Sequence, residues 1–169
     1  MNNIVLIGMP GVGKSTQGVV LAKILGFQFL DADLLIQKQE KKKLHEIIKC
    51  EGIEGFMKIE NQVNASITAD QTVISTGGSV VYCQKAMEHL KEIGTVVYLK
   101  VSLHTLEKRL GNLKSRGVIL KKGQTLKDLY EERIPLYEKY ADLVVDENGK
   151  DLEACLQLLL EKLNTDDEG

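Results

Sequence analysis

The chain has 169 residues, 43% of them apolar and 27% charged, a balance typical of a globular protein and unlike that of a disordered or collagen-like chain. This length suits a single domain over residues 1–169, and no long apolar stripe is left over for a partner subunit, so we expect a monomer. The net charge of −2 gives no general attraction for nucleic acids or membrane surfaces, and we expect neither as a partner. No apolar run is long enough to cross a membrane or to form a signal peptide, so the expected location is the cytoplasm.

Five short apolar runs predict the strands of a parallel sheet. The first, residues 4–7, ends at Gly8 and has the continuous apolar character of a strand that is buried on both faces. Four similar runs occupy residues 27–30, 72–75, 95–99 and 143–145, and glycine or polar residues follow each of them. Since loops at the carboxyl ends of parallel strands carry ligands, we expect binding residues after these runs.

Segments with helical spacing of apolar residues lie between the strands, at residues 16–25, 44–67, 103–110, 126–140 and 152–163. Residues 44–67 are interrupted near Gly52 and Gly55 and are predicted as two helices. The alternation predicts a three-layer α/β domain, with a five-stranded parallel sheet and helices on both faces. Residues 111–124, rich in glycine and lysine, are predicted to form a mobile lid over the site.

Residues 8–15, GMPGVGKS, match the phosphate-binding pattern GxxxxGK(S/T) directly after the first strand and before the first helix. Glycines allow backbone amides to turn inward around phosphate oxygens at a helix N-terminus. Lys14 is placed to reach the β- and γ-phosphates, and Ser15 to ligate magnesium. A glycine-rich turn without a ligand is the alternative, which the complete motif with both flanks disfavours. We predict that ATP is bound by Gly8, Gly11, Val12, Gly13, Lys14, Ser15 and Thr16.

Asp31 and Asp33 follow the second strand, so both carboxylates should lie at the carboxyl edge of the sheet near Lys14. A magnesium ion bound to ATP takes one or two protein carboxylates, and an acceptor hydroxyl needs a carboxylate that orients it and accepts its proton. The alternative is a helix N-cap followed by a solvated acid. The pair therefore suggests transfer of the terminal phosphate to a hydroxyl group.

Several segments resemble shikimate kinases in order and spacing: GMPGVGKST, FLDAD, FMKIE, STGGS, the arginines at positions 109 and 116, and ERIPLYEKYAD. The resemblance covers almost the whole chain, and the last segment behind a TGG turn is hard to match in other small kinases. It implies a P-loop kinase fold with a lid, and ATP- and Mg²⁺-dependent phosphorylation of shikimate in aromatic amino acid biosynthesis.

The resemblance also implies roles for individual residues. Asp31 would help to hold Mg²⁺ through water, and Asp33 would bind the acceptor hydroxyls and act as the base. Arg116 would steady the transferring phosphate from the lid, and Arg109 would pack on the adenine. Asp33, Lys14 and Arg116 are then the catalytic residues, and Ser15 and Asp31 the metal residues.

On the acceptor side, the resemblance implies a substrate-binding helical region at about residues 34–67. The backbone at Gly77 and Gly78 would bind the acceptor, and Glu60 would lie beside it. Arg133 would grip the acceptor's carboxylate, a surface ion pair being the alternative.

Two departures from the family fall in this pocket. The family has an arginine where this chain has Met57, and the lost guanidinium contact to the carboxylate is worth about 1.5–3 kcal/mol. Lys58 does not replace it simply, because the next helical position points about 100° away. Where the family's turn has a third glycine, this chain has Ser79. In the lid, Gly117 takes the place of a proline. Met57 and Ser79 are thus predicted to belong to a divergent acceptor pocket.

Three further functions stay open at this point. The acceptor is either shikimate in a repacked pocket or another small hydroxy acid or polyol, held by Arg133 against Met57. A non-catalytic nucleotide-binding regulatory module is disfavoured by Asp33, because an ATP sensor needs no base. A nucleoside-monophosphate kinase needs several arginines around a second phosphate, whereas residues 44–67 offer only lysines.

Overall fold

The computed structural model of the chain describes residues 2–110 and 122–167. Its five strands are β1 (Asn3–Ile7), β2 (Gln28–Asp31), β3 (Thr72–Ser75), β4 (Gly94–Lys100) and β5 (Leu143–Asp146). They form one sheet in the order β2–β3–β1–β4–β5, and every neighbouring pair is parallel. The predicted five-stranded parallel sheet is confirmed.

Seven α-helices lie between and after the strands in the described ranges. They are α1 (Lys14–Leu25), α2 (Ala32–Glu40), α3 (Leu44–Ala65), α4 (Gln84–Ile93), α5 (Leu103–Arg109), α6 (Leu126–Tyr140) and α7 (Leu152–Asp167). None of these helices is both long and apolar enough to cross a membrane. The monomeric state and the cytoplasmic location stay predictions from the sequence.

The helices cover both faces of the sheet, which gives the domain three layers. α1 contacts β1, β2 and β3 and also touches α7, whereas α4 and α6 pack against β4. The connection from β1 to β2 runs along the sheet in the opposite direction to the connection from β3 to β4. Because crossovers between parallel strands are right-handed, α1 and α4 lie on opposite faces.

β1 is the central strand, and all five of its residues are buried. A strand that is covered on both faces needs a continuous apolar run, which is the pattern at residues 4–7. β3 and β4 pair with β1 on either side. The loop that follows β1 therefore starts from a strand end that is held by neighbours on both edges.

α2 and α3 enclose a small apolar core of their own, apart from the main core around the sheet. It consists of Ile36, Ile47, Phe56 and Val63, each at most 2% exposed. The break predicted near Gly52 and Gly55 occurs at Gly52, whose φ of 74° and ψ of 175° are not helical. α2 and α3 lie in the stretch, about residues 34–67, for which the resemblance implies a substrate-binding helical region, and that role in binding stays a prediction.

Apolar spacing in the sequence predicts neither α2 nor α4, although the helical region that the resemblance implies at about residues 34–67 covers most of α2. α2 is mostly polar, and its start depends on the Asp31 carboxylate, which accepts hydrogen bonds from the backbone N–H groups of Asp33 and Leu34. α4 buries Ala86, Met87 and Leu90, which have helical spacing and form a clear apolar stripe among polar residues. α2 thus depends on its cap, whereas α4 does have an apolar pattern that predicts a helix.

We expect Gly52→Ala to destabilise the protein. Nothing within 4 Å would contact the added Cβ, so any cost comes from the backbone conformation alone. This region of φ and ψ is accessible in practice only to glycine, and strain there costs about 1–3 kcal/mol. Urea denaturation should show a lower midpoint with an unchanged slope.

Lys49→Ala is the matched control, because Lys49 is an exposed residue of the same helix. Alanine is a good helix former, so the midpoint of this variant should change little. Equal midpoints for Gly52→Ala and the wild type would contradict the strain argument.

Candidate active site

The loop of residues 8–13 wraps around the start of α1 at the carboxyl end of β1. Gly11 has a φ of 84° and Gly13 a φ of 95°, values that favour glycine. The loop and the first residues of α1, including Thr16, form one side of a cavity of about 350 Å³. Asp33 and the turn at residues 76–78 form the other side. The nucleotide-binding loop and the predicted acceptor residues thus face one another.

Lys14 is the first residue of α1 and is only 7% exposed. Its ammonium group donates hydrogen bonds to the carbonyl oxygens of Gly8 (2.7 Å) and Met9 (2.9 Å). Burial lowers the pKa of Lys14 to about 8, and the nearby Asp33 carboxylate opposes that shift. The side chain therefore remains cationic at neutral pH and lies against the phosphate-binding loop.

Ser15, Asp31 and Ser75 form a cluster of oxygen atoms beside Lys14. The register of the sheet brings them together, because Asp31 pairs with Ser75 between β2 and β3. Ser15 Oγ donates to Asp31 Oδ2 (2.8 Å) and lies 3.2 Å from Ser75 Oγ. Asp31 Oδ1 meanwhile caps α2. Asp31 therefore combines the helix N-cap with the position predicted for a metal residue.

Asp33 is the second residue of α2 and is half-buried. Burial raises the pKa of Asp33 to about 6, the charge of Asp31 raises it further, and Lys14 opposes the shift. Asp33 is therefore not a freely solvated acid. A carboxylate with this pKa is suited to accept a proton near neutral pH.

Gly77 and Gly78 bring the backbone of the turn after β3 directly against charged side chains. A Cβ at Gly77 would lie 2.6 Å from Asp33 Oδ1 and 3.0 Å from Glu60 Oε2. A Cβ at Gly78 would lie 2.9 Å from Arg133 Nη1. Any larger residue would displace these groups, so glycine is required for their close approach.

Arg133 lies on α6 and is only 2% exposed, which rules out a surface ion pair. Its guanidinium carbon is 5.4 Å from the centre of the Tyr82 ring. Its Nε atom has no hydrogen-bond partner among the described residues. A buried guanidinium with a free N–H group is suited to bind an anion.

Glu60 and Ser79 lie behind the glycine turn. Ser79 Oγ donates a hydrogen bond to Glu60 Oε1 at 2.6 Å, and both residues are buried. Burial raises the pKa of Glu60 to about 7, and the hydrogen bond from Ser79 opposes the shift. The structure thus uses the Ser79 hydroxyl to hold Glu60.

Met57 forms part of an apolar wall beside Arg133. A cavity of about 230 Å³ lies there, between α3 and α6, and its apolar lining includes Ile53, Met57 and Leu129. Tyr82 borders the same cavity. Arg133, Glu54, Gln124 and Glu132 line the cavity as well, so an apolar wall that includes Met57 lies next to a guanidinium group and two acids. The role of Met57 in acceptor binding stays a prediction.

Arg109 is exposed and lies at the end of α5. Its Nη1 donates hydrogen bonds to the carbonyl oxygens of Gly11 (3.3 Å) and Val12 (3.2 Å). The arginine predicted to pack on adenine therefore lies against the phosphate-binding loop. Arg116 and residues 111–121 of the predicted lid lie outside the described residues. The roles of Arg116 and the lid stay predictions.

Three residues of this region were missed by the sequence reasoning or given a lesser role. Ser75 could have been found, since it is a polar residue at the end of a buried strand. Tyr137 packs in the core as its helical spacing predicts, and its ring stacks on Tyr98 with 5.1 Å between the ring centres. Its hydroxyl also donates a hydrogen bond to the carbonyl oxygen of Gly78 (2.7 Å). Tyr82 belongs to a short 3₁₀ turn and carries no sequence signal for its contact with a guanidinium.

The residues present fit a nucleotide and its metal ion. The cavity beside the loop offers a buried ammonium group and the N-terminus of α1 for phosphate oxygens. Ser15 and Asp31 offer a hydroxyl and a carboxylate, the oxygen ligands that Mg²⁺ prefers. The site therefore suits ATP with Mg²⁺.

Comparison with known proteins agrees with this site. The shikimate kinase family model matches residues 10–164. A shikimate kinase of Clostridium botulinum (strain ATCC 19397 / Type A) is 40% identical over 155 residues, which cover 89% of this chain and 91% of the relative.

Solved structures give the same result. The shikimate kinase from Acinetobacter baumannii in complex with shikimate has a TM-score of 0.88 and 31% identity, covering 98% of this chain and 94% of that one. The shikimate kinase from Aquifex aeolicus has a TM-score of 0.83 and 30% identity, covering 98% of both chains. This chain therefore belongs to the shikimate kinase family, whose members are ATP- and Mg²⁺-dependent phosphotransferases.

Proposed function

We propose that this chain transfers the terminal phosphate of ATP to a hydroxyl group of shikimate, in aromatic amino acid biosynthesis. One observation carries the proposal: Asp33 Oδ1 and Arg133 Nη1 lie within 2.6 Å and 2.9 Å of the Cβ positions of the two adjacent glycines, Gly77 and Gly78. A hydroxylated carboxylic acid on this turn would offer a hydroxyl to Asp33 and a carboxylate to Arg133. The related protein from Acinetobacter baumannii was solved with shikimate.

The chain's residues would divide the work on the nucleotide. When bound, ATP supplies the phosphoryl group, and Mg²⁺ offsets the negative charge of the phosphates. Lys14 and the amides of the loop would bind phosphate oxygens, and Ser15 and Asp31 would hold the metal ion. Arg109 would contact the adenine, and Arg116 would steady the transferring phosphate.

Asp33 would act on the acceptor. Its carboxylate would accept a hydrogen bond from the reacting hydroxyl, orient that oxygen and take up its proton as the phosphate is transferred. The raised pKa of Asp33, about 6, favours proton uptake while leaving the group ionised at neutral pH. Transfer by positioning and electrostatic stabilisation needs little covalent chemistry from the protein.

A kinase for a different small hydroxy acid or polyol is the second candidate. The observation that favours it is the apolar wall at Met57, Ile53 and Leu129, which faces the same pocket as Arg133. A shikimate carboxylate would find one guanidinium group there. A non-catalytic ATP-binding module is less well supported, because it would have no use for the half-buried Asp33 and the buried Arg133.

Replacement of Asp33 by asparagine should lower kcat with shikimate by about 10²- to 10⁴-fold, because the variant cannot accept the hydroxyl proton. ATP binding, followed by calorimetry, should remain. Asp70→Asn is the matched control, since Asp70 is exposed, belongs to a loop before β3, and should tolerate the change without loss of rate. Full turnover by Asp33→Asn would exclude Asp33 as the base.

The rate should also depend on pH through this carboxylate. A raised pKa means that Asp33 becomes protonated, and thus inactive as a base, once the pH falls below about 6. We therefore expect kcat/KM of the wild type for the acceptor, which reports ionisations of the free enzyme, to fall about tenfold per pH unit below that value. A profile that stays flat down to the ordinary aspartate range, about pH 4, would contradict this.

Met57→Arg should lower KM for shikimate by about ten- to a hundred-fold, because a second charged hydrogen bond to the carboxylate contributes about 1.5–3 kcal/mol. Lys58→Arg is the matched control: it places the same guanidinium at the next, exposed position of the helix, which points about 100° away, and KM should not change.

An unchanged or higher KM for shikimate in Met57→Arg would favour the second candidate. The decisive measurement is then ADP release by the wild type with a panel of hydroxy acids and polyols. An acceptor that the wild type uses well and Met57→Arg uses poorly would replace shikimate as the assigned substrate.

A further inference from the structure

The carboxyl group of Glu60 has one bound oxygen and one free oxygen. Glu60 lies on α3 with 0% of its surface exposed. Oε1 accepts a hydrogen bond from Ser79 Oγ at 2.6 Å, and the thiol of Cys83 lies 3.9 Å from the same oxygen. Oε2 is buried and has no hydrogen-bond partner in the described part of the chain. A buried acceptor without a partner costs about 1–3 kcal/mol, so a ligand that supplies a donor to Oε2 would remove a penalty.

The free oxygen lies next to the turn on which the acceptor is proposed to bind. It lies 3.0 Å from the Cβ position of Gly77, and Asp33 Oδ1 lies 2.6 Å from the same position. Two carboxyl oxygens from different helices thus lie close to one point at this turn. A molecule with two neighbouring hydroxyl groups could donate one hydrogen bond to each acid.

Ser79 is not held in place by a backbone requirement. Its φ of −92° and ψ of −1° are open to any residue, and its side chain is only 5% exposed. Its hydroxyl donates its hydrogen bond to Glu60, so we assign it no direct contact with the substrate. The strong donor that fixes the Glu60 carboxyl is this hydroxyl, because a thiol at 3.9 Å contributes little.

We propose that Ser79 is a positioning residue: its hydroxyl orients the Glu60 carboxyl so that Oε2 accepts a hydrogen bond from a second hydroxyl of the acceptor, beside the hydroxyl that Asp33 binds. This inference rests on the proposed function in one respect, that the acceptor carries two hydroxyl groups. It assigns Ser79 a role through Glu60 rather than a contact with substrate.

The charges around Glu60 give this arrangement a measurable signature. Burial raises the pKa of Glu60, the Ser79 hydrogen bond lowers it, Asp33 raises it, and Arg133 and Cys83 lower it. Loss of the Ser79 hydroxyl removes a stabilising partner of the ionised form. The pKa of Glu60 should therefore rise in Ser79→Ala. As the pH falls, the Glu60 carboxylate of this variant should become protonated at a higher pH than in the wild type.

The first test is kinetic. In Ser79→Ala, KM for shikimate should rise about tenfold, as expected for one lost hydrogen bond, while KM for ATP stays unchanged. In the Glu60→Gln background, the same Ser79→Ala change should have no further effect on KM for shikimate, because the carboxylate that Ser79 orients is gone. An equal effect in both backgrounds, or an equal rise in both KM values, would show a merely structural role and overturn the proposal.

The second test does not depend on turnover. Carboxyl ¹³C NMR of the protein labelled at glutamate gives the titration of Glu60, identified as the resonance that is missing in Glu60→Gln. The midpoint should lie well above the ordinary glutamate range in the wild type and move upward by about one further pH unit in Ser79→Ala. An unshifted midpoint overturns the proposal.

The two tests separate the inference from the proposed function. If the wild type does not phosphorylate shikimate while the Glu60 midpoint shifts in Ser79→Ala, the assignment of shikimate fails and the Ser79–Glu60 coupling stands. The kinetic comparison is then made with the acceptor that the wild type does use. If shikimate is phosphorylated and Ser79→Ala changes neither KM nor the midpoint, the inference alone fails.

Discussion

The register of β2, β3 and β1 is the constraint on which the site depends. Parallel pairing sets Asp31 level with Ser75, and Ser75 level with Leu6, the penultimate residue of β1. The loops that leave these strands therefore start at one edge of the sheet, where the start of α1 places Ser15 against Asp31. Because side chains alternate between faces, a slip of β2 by one residue would turn Asp31 away from Ser15. The strand pairing that forms the sheet thus also sets the geometry of the site.

Burial of charge is the second organising feature. The site holds two cations, Lys14 and Arg133, close to three acids, Asp31, Asp33 and Glu60. Burial shifts the pKa of Lys14 downward and the pKa values of Asp33 and Glu60 upward, each toward the neutral form. Anionic phosphates and a carboxylate would supply counter-charges for the cations. The free protein therefore carries an electrostatic cost, and anionic ligands would relieve the part of it that comes from the two cations.

Local signals explain why so much of the fold and the nucleotide side could be predicted. Buried parallel strands leave continuous apolar runs, and the phosphate-binding loop needs glycines and a lysine at fixed spacing. α2 has no clear apolar pattern and depends on a side-chain cap, whereas the apolar spacing of α4 was overlooked although the sequence shows it. The role of Arg133 came from the family resemblance, since one arginine on a helix fits a surface ion pair equally well.

Contacts between distant residues are what the sequence could not provide. Ser15 meets Ser75 across 60 positions and Ser79 meets Glu60 across 19, and neither spacing carries a local signal. The sequence shows that position 79 departs from the family's glycine. It does not show the direction in which the Ser79 hydroxyl points. That direction follows from the packing of α3 against the turn after β3.

The two carboxylate oxygens of Asp31 have different hydrogen-bond partners. Oδ1 accepts hydrogen bonds from two backbone N–H groups at the start of α2, and Oδ2 accepts one from the Ser15 hydroxyl. A cation held at Ser15 would change the partner of Oδ2 and leave the cap at Oδ1 intact. Cation binding and helix capping would thus fall to different oxygens of one carboxylate, and the helix that bears Asp33 would keep its N-cap whether or not the cation is bound.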